Sequence, residues 1–368
     1  MKVLVTGANG FIGKNLLIHL KERKDVEIFT QLKGDSSTEL AGKISNVDFI
    51  FHLAGINRPQ TESEFKIGNA DFTVELCRLI SESRKKIPII FTSSSQAALD
   101  NPYGKSKREA EEALEDFAKK NNNPVFIYRL PNVFGKWCRP NYNSVVATFC
   151  YNLIHGLPLK INDPKAPMRL VYVDDVISNF LEKLSDSSIQ EIYQEVTPVY
   201  ELTVGELERQ LNSFKESRDN KITERVGSGI VRALYSTYIS YFRPLDFTYP
   251  LVKHEDPRGM FVEMLKTKDS GQFSFFTAHK GVTRGSHYHH SKTEKFLVLK
   301  GEARFGFRHI LTNETFEILT TGSKPTVVET IPGWAHDITN VGEEEMVVML
   351  WANEIFDSER PDTIGHKV

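Results

Sequence analysis

Apolar runs and amphipathic stretches alternate through the first half of the chain. Val3–Thr6, Val26–Thr30, Phe49–Leu53, Ile87–Thr92 and Val125–Leu130 are short, β-rich runs of strand length. Between them, Lys14–Lys24, Ala70–Lys85 and Ser106–Lys120 carry the three- and four-residue spacing of helices. Strand, helix, strand, repeated, predicts an α/β unit with a doubly wound parallel sheet.

The pattern changes between 197 and 246. Thr203-Val204-Gly205-Glu206 reads as a capping box opening a helix through Phe214. GSGIVRALYSTYISYFRP then spaces Ile230, Leu234, Tyr235, Tyr238 and Phe242 for a helix that packs an aromatic face on a neighbouring core; a dimer contact is compatible with the same face. From 247 the chain turns to short strands and glycine turns, among them FSFFTAH, KFLVLKGEARFGF, TFEILT and EMVVMLWAN. That rhythm predicts a small antiparallel barrel or sandwich, without internal repeats. Two domains are expected, 1–246 and 247–368.

Composition narrows the class. At 368 residues the chain exceeds one ordinary domain, and 40% hydrophobic with 26% charged residues is globular. A net charge of −2 offers no basic surplus for nucleic acid, although small anions need only local positive charge. Cys77, Cys138 and Cys150 are odd in number and lack CxxC spacing, which fits a reducing compartment better than a disulfide framework. With no leader-like start and no run of roughly 18 apolar residues, a cytoplasmic protein without a membrane span is expected.

Two clusters carry chemistry. In Val3-Leu4-Val5-Thr6-Gly7-Ala8-Asn9-Gly10-Phe11-Ile12-Gly13, a strand runs through a glycine turn into a helix. Gly7 suits the sharp turn, Gly10 lets backbone approach a pyrophosphate, and Gly13 lets helix and strand pack closely; the helix N-terminus offers N–H donors. The second strand reaches Lys33 without an acid to hold a ribose 2′-OH, so Lys33 is read as a partner for a 2′-phosphate and NADP(H) is favoured. Tyr103 and Lys107, four apart, share one helix face, after the serine-bearing strand Phe91-Thr92-Ser93-Ser94-Ser95. A lysine beside a phenol whose free pKa is about 10 tunes it for proton transfer, and a serine can hold the same substrate oxygen. This is equipment for moving hydride between nicotinamide and a carbonyl.

The order of glycine loop, FHLAG (51–55), Asn69, FTSSS, YGKSK, RLPNVFG (129–135) and RLVYVDDV (169–176) resembles the extended short-chain dehydrogenase/reductases that act on nucleotide sugars, a Rossmann-like fold, over about residues 1–245. The resemblance implies cofactor contacts at Gly7, Asn9, Gly10, Phe11, Ile12, Gly13, Lys33, Leu53, Ala54, Tyr103 and Lys107. It makes Ser94 the family's serine, with Ser95 a one-residue alternative, and Asn132 and Arg169 substrate contacts. Eight residues separate Ser94 from Tyr103, fewer than is usual, and the second-strand region is trimmed.

The second cluster, Gly281-x5-His287-x-His289-x4-Glu294-x6-Gly301 with Pro332-Gly333-Trp334-Ala335-His336-x3-Asn340, offers imidazoles and a carboxylate suited to a divalent metal such as zinc. It resembles the cupins over about 250–360, with metal candidates His287, His289, Glu294 and His336; His290 is an alternative ligand. Arg284-Gly285-Ser286-His287-Tyr288 also resembles the RGxHY segment of cupin-fold 3,5-epimerases of 4-keto-6-deoxy nucleotide sugars. That resemblance makes His287 a base instead of a ligand.

A nucleotide-sugar reductase followed by a zinc cupin resembles the CapF-type enzymes of bacterial capsular polysaccharide synthesis across nearly the whole chain. The family implies a homodimer that epimerises C3 of UDP-2-acetamido-2,6-dideoxy-β-L-arabino-hexos-4-ulose and reduces C4 with NADPH to UDP-N-acetyl-6-deoxy-L-talosamine, on the route to UDP-N-acetyl-L-fucosamine. The rival expectations are a reductase whose cupin only dimerises or senses, and a nicotinamide-binding regulator without catalysis.

Overall fold

The apolar runs of the first half form β1 (Lys2–Thr6), β2 (Glu27–Gln31), β3 (Phe49–His52), β4 (Ile89–Ser94) and β5 (Val125–Leu130). Between them stand helices α1 (Phe11–Lys21), α2 (Ser37–Ile44), the short α3 (Ser63–Phe65), α4 (Phe72–Ser83) and α5 (Pro102–Asn121). The computed structural model of the chain describes residues 1–185 and 191–368. Strands β6 (Asn132–Phe134), β7 (Pro167–Tyr172), β8 (Tyr193–Gln194) and β9 (Tyr200–Thr203) follow, with helices α6 (Val145–Ile154), α7 (Val173–Ser185), α8 (Val204–Asn220) and α9 (Gly229–Ile239).

The main sheet has the order β2-β1-β3-β4-β5-β8 and every pairing in it is parallel. Successive β1 residues face opposite cores, Val3 and Val5 toward Phe51, Phe126 and Phe180, and Leu4 toward Ile50, Phe91 and Leu114. Burial on both faces explains the unbroken apolar runs. Phe180 on α7, fully buried beside Tyr128 at 4.9 Å, would cost about 3–5 kcal/mol if cut to alanine. The strand order reverses between β2 and β3 on either side of β1, which opens a crevice at the carboxyl ends.

Boundaries differ from expectation for local reasons. The strand expected at Ile87–Thr92 starts at Ile89, because the Ile87 N–H and C=O both bond the Asn123 side chain instead of a ladder. The helix expected from Ala70 is preceded by a π-helical turn, Lys66–Asp71. The helix expected from Ser106 begins at Pro102, with Asn101 accepting from Gly104 N–H as its cap. The Thr203–Glu206 capping box forms, and its helix runs on to Asn220. On α9, Leu234 and Tyr238 are buried, so that part of the aromatic face is spent on packing.

Met1–Leu211 with Ala233–Tyr241 makes one compact unit, and Asn212–Arg232 with Phe242–Val368 the other. Asn212–Arg232 thus groups with the β-rich unit, upstream of the expected 246/247 division. In that unit β10 (Ile222–Thr223), β11 (Lys253–Asp256), β12 (Gly259–Thr267), β13 (Gly271–Ala278), β14 (Thr283–Tyr288), β15 (Glu294–Lys300) and β16 (Glu302–His309) lead to β17 (Thr315–Thr321), β18 (Val327–Glu329), β19 (Trp334–Asn340), β20 (Met346–Ala352) and β21 (Ile364–Gly365). One sheet runs β10-β12-β13-β20-β15-β18 and the other β17-β16-β19-β14-β21, antiparallel apart from the β10–β12 pair. Phe276, Phe296 and Val348 of the first and Phe305 and Ile338 of the second share a core. Among the described residues no helix is long and apolar enough to cross a membrane.

Candidate functional site

At the crevice, Gly7 turns with φ +69°, and a Cβ there would lie 2.6 Å from Ala54 N. A Cβ on Gly13 would lie 2.3 Å from Gly7 O, so helix α1 packs on the turn at a distance glycine alone permits. Gly10 caps α1 without a side-chain bond, leaving first-turn N–H groups free for an anion. Gly7, Asn9, Gly10, Phe11, Ile12, Gly13 and Leu53 line a cavity of about 1220 Å³, together with Ser94, Tyr103, Lys107 and Asn132. This cradle fits a dinucleotide. Ala54 contributes from behind, its N–H donating to Thr6 Oγ1 at 3.1 Å. Lys33 is exposed and off the cavity wall, while Asp35, the nearest acid, is held by Leu32 N–H at 3.0 Å and Lys43 at 2.8 Å.

Ser94 closes β4, accepts from Gln96 N–H at 3.2 Å and lines the cavity with Tyr103; Ser95 is exposed and lies off the cavity. The short span between Ser94 and Tyr103 works because Ser95–Ala98 folds as a 3-10 turn laid on the start of α5. A Cβ on Gly104 would come within 2.2 Å of Gln96 O, and Arg108 ties the turn down through Ala97 O at 2.8 Å and Leu99 O at 3.1 Å. Lys107 is buried, donates to Thr92 O at 2.7 Å and lies 4.1 Å from the Phe91 ring centre. Burial pushes its pKa down to about 7 against the opposing charge of Glu111. Burial raises Tyr103, with the neighbouring Ser94 hydroxyl opposing. The expected downward pull of Lys107 on the phenol is therefore not what sets Tyr103 in this arrangement; desolvation dominates.

Asn132 donates to Arg169 O at 3.4 Å. Arg169 itself meets Glu201 at 3.3 Å and is not on the wall of the large cavity. That wall holds residues the sequence reading passed over. Tyr142 lies under the guanidinium groups of Arg58 and Arg139, at 5.0 and 5.1 Å, and its hydroxyl donates to Asn57 Oδ1 at 2.9 Å. The RPNYN run at 139–143, basic and aromatic together, was the available signal.

In the β-rich unit, the metal-candidate atoms of His287, His289, Glu294 and His336 all lie within 4.8 Å of one another. His287 on β14 and His336 on β19 are register partners; His289 lies one residue past the end of β14, and Glu294 opens β15. Glu294 Oε2 is 3.2 Å from His289 Nε2 and 3.3 Å from His336 Nε2, while Oε1 meets Lys292 Nζ at 3.0 Å. Burial alone would raise the Glu294 pKa; the two imidazoles and Lys292 outweigh it and hold the carboxylate well below its usual range. Burial, then the neighbouring His336 and His289, push His287 down to about 4, so it is neutral near pH 7. His287 Nε2 and His336 Nδ1 are buried without hydrogen-bond partners. Buried imidazole nitrogens left bare around a carboxylate fit a divalent cation. His290 is exposed, and its backbone N–H bonds Asp362.

Residues 3–194 match the NAD dependent epimerase/dehydratase family, and residues 254–364 match the polysaccharide biosynthesis C-terminal domain. The chain is 57% identical over 368 residues to the UDP-2-acetamido-2,6-beta-L-arabino-hexul-4-ose reductase of Pseudomonas aeruginosa, covering 100% of this chain and 99% of that protein. The crystal structure of the capsular polysaccharide assembling protein CapF from Staphylococcus aureus is similar throughout, with a TM-score of 0.92, 40% identity and 100% of both chains covered. The UDP-glucuronic acid 4-epimerase of Bacillus cereus, at 18% identity and a TM-score of 0.55, shares the fold over 66% of this chain and 96% of its own. The chain belongs to the NAD dependent epimerase/dehydratase family, in the CapF-type branch that carries a β-rich polysaccharide biosynthesis C-terminal domain.

Proposed function

We propose that the chain acts twice on one UDP-linked 4-keto sugar: the β-rich unit, as a zinc cupin, inverts C3, and the parallel-sheet unit then reduces C4. The substrate is UDP-2-acetamido-2,6-dideoxy-β-L-arabino-hexos-4-ulose and the product UDP-N-acetyl-6-deoxy-L-talosamine, a precursor of UDP-N-acetyl-L-fucosamine. Residues 1–246 serve the reduction and 247–368 the epimerisation, in a cytoplasmic homodimer. The observation that carries this reading is the coexistence, in one chain, of a Ser94–Tyr103–Lys107 group on a large cavity and a largely buried three-imidazole, one-carboxylate cluster. The name of the Pseudomonas aeruginosa relative supports the reductive half.

The chemistry dictates the order. A C4 ketone acidifies the C3 hydrogen, so inversion must precede reduction, which abolishes that acidity. A bound divalent cation supplies charge that polarises the ketone oxygen. His287, whose buried Nε2 has no hydrogen-bond partner and lies with the ligand atoms of His289, Glu294 and His336, is assigned as a ligand, with the base role as the alternative. In the other unit, bound NADPH supplies the hydride. Tyr103, kept protonated by burial, donates the proton to the C4 oxygen, and Ser94 holds that oxygen by hydrogen bond. Lys107, one helical turn from Tyr103 on α5 and on the same cavity wall, would help to hold the cofactor. The tethered Asp35 supports NADPH over NADH, and Lys33, exposed two residues before it, is the cation assigned to a 2′-phosphate. Arg58 and Arg139, stacked on Tyr142, supply positive charge for the UDP diphosphate.

Incubation of the zinc-loaded chain with the ketone and NADPH tests the proposal, with nuclear magnetic resonance reading the product's C3 configuration. An inverted C3 in a reduced product supports both steps. Reduction with C3 unchanged leaves the reductase alone, and no NADPH oxidation overturns the reading.

A further inference from the structure

Four residues, His290 to Thr293, join candidate ligand His289 to candidate ligand Glu294 outside any strand. The backbone N–H groups of His290, Ser291 and Lys292 all donate to the carboxylate of Asp362, at 2.8, 2.7 and 2.8 Å, and the Ser291 hydroxyl adds a fourth bond at 3.0 Å. Three consecutive N–H groups converging on one carboxylate make an anion seat. The Asp362 backbone carbonyl hydrogen-bonds His289 Nδ1. An Nδ1–H committed to a carbonyl leaves Nε2 with a bare lone pair, and Nε2 is the atom that faces Glu294. Beyond Asp362, Ile364 and Gly365 pair with Tyr288 and His287, and His366 N–H donates to Ser286 O at 2.9 Å. Lys292, whose N–H is one of the three, sets its Nζ on Glu294 Oε1 and leaves Oε2 toward His289 and His336.

We propose that Asp362 is a positioning residue of the metal cluster, and that the segment Asp362–His366 is part of that site. One side chain and its carbonyl fix the tautomer of His289, the course of the loop and, through Lys292, which oxygen of Glu294 is free. This rests on the reading that the four-residue cluster takes a divalent cation. Partners behind metal-bound histidines typically govern metal affinity by about 10- to 100-fold.

The test titrates cobalt(II), a coloured stand-in for zinc, into the chelator-stripped full chain and into Asp362→Ala, following the visible absorption band. The wild-type chain binds cobalt with a band of tetrahedral type; Asp362→Ala binds about 10- to 100-fold more weakly and with a shifted band, while its metal-free circular dichroism matches wild type. Wild type that binds no cobalt sinks the metal reading itself. Equal affinity and an unshifted band in a folded Asp362→Ala chain overturn the inference about Asp362 alone. Should Asp362→Ala fail to fold, hydrogen exchange on the wild-type chain decides. Cobalt must then slow the amides of His290, Ser291, Lys292 and His366, and unchanged exchange there overturns the proposal.

Discussion

His287 on β14 stands opposite His336 on β19, with ring centres 4.7 Å apart. Each comes from a separate histidine motif, and the antiparallel pair of strands is what joins them. A register shift between Gly285 and His287 offsets β14 against β19, and His287 and His289, two positions apart, bring their ring centres to 4.8 Å.

His336→Ala removes one of three imidazoles and should weaken zinc binding by a hundredfold or more, read by competition with a coloured chelator. His287→Asn distinguishes ligand from base. The ligand role predicts that zinc affinity and C3 exchange fall together; retained zinc with lost exchange would make His287 the base.

Tyr103→Phe keeps the ring and deletes the proton donor. Its rate of NADPH oxidation should fall by about 10²- to 10⁴-fold, while hydrogen exchange at C3 of the ketone continues. Initial rates on the same preparation separate the two.

Lys33→Ala should lower kcat/KM for NADPH by about 10- to 100-fold, the worth of one charge-assisted bond, and leave NADH use unchanged. Equal losses with both cofactors would remove Lys33 from the 2′-phosphate.

His52, wholly buried, bridges Thr6 Oγ1 at 2.8 Å and Thr73 Oγ1 at 2.9 Å. Burial, then the charge of Lys107, push its pKa down to about 3. The unfolded chain, with a histidine pKa of about 6.5, binds the extra proton first as pH falls. Stability is therefore lost as pH drops below about 6.5, by about 1.4 kcal/mol per unit for this group, levelling near its folded pKa. Urea unfolding at stepped pH should show a shallower slope in His52→Gln, whatever its absolute stability.

The candidate site residues could be grouped in the sequence where their spacing is local. Gly7 to Gly13, Tyr103 with Lys107, and His287 with His289 each sit within one strand–turn–helix or strand segment. Long-range partners were not legible. Tyr142 and Asn57, 85 positions apart, meet in the cavity from loops that carry no periodicity. Asp362 reaches the His290–Lys292 backbone from at least 70 positions away, and a lone exposed-looking aspartate gives no sign of it. Arg169 carried the right motif, yet in this arrangement its side chain is paired with Glu201 and off the cavity wall. Boundaries moved where a side chain substituted for the ladder, as Asn123 does at Ile87.

The most direct measurement offers the 4-keto UDP-sugar to the zinc-loaded chain in D2O with NADPH withheld. The account predicts deuterium at C3, appearing at a rate that falls when His336 is replaced. A C3 position that stays protonated while the same preparation still reduces the ketone on adding NADPH would contradict it.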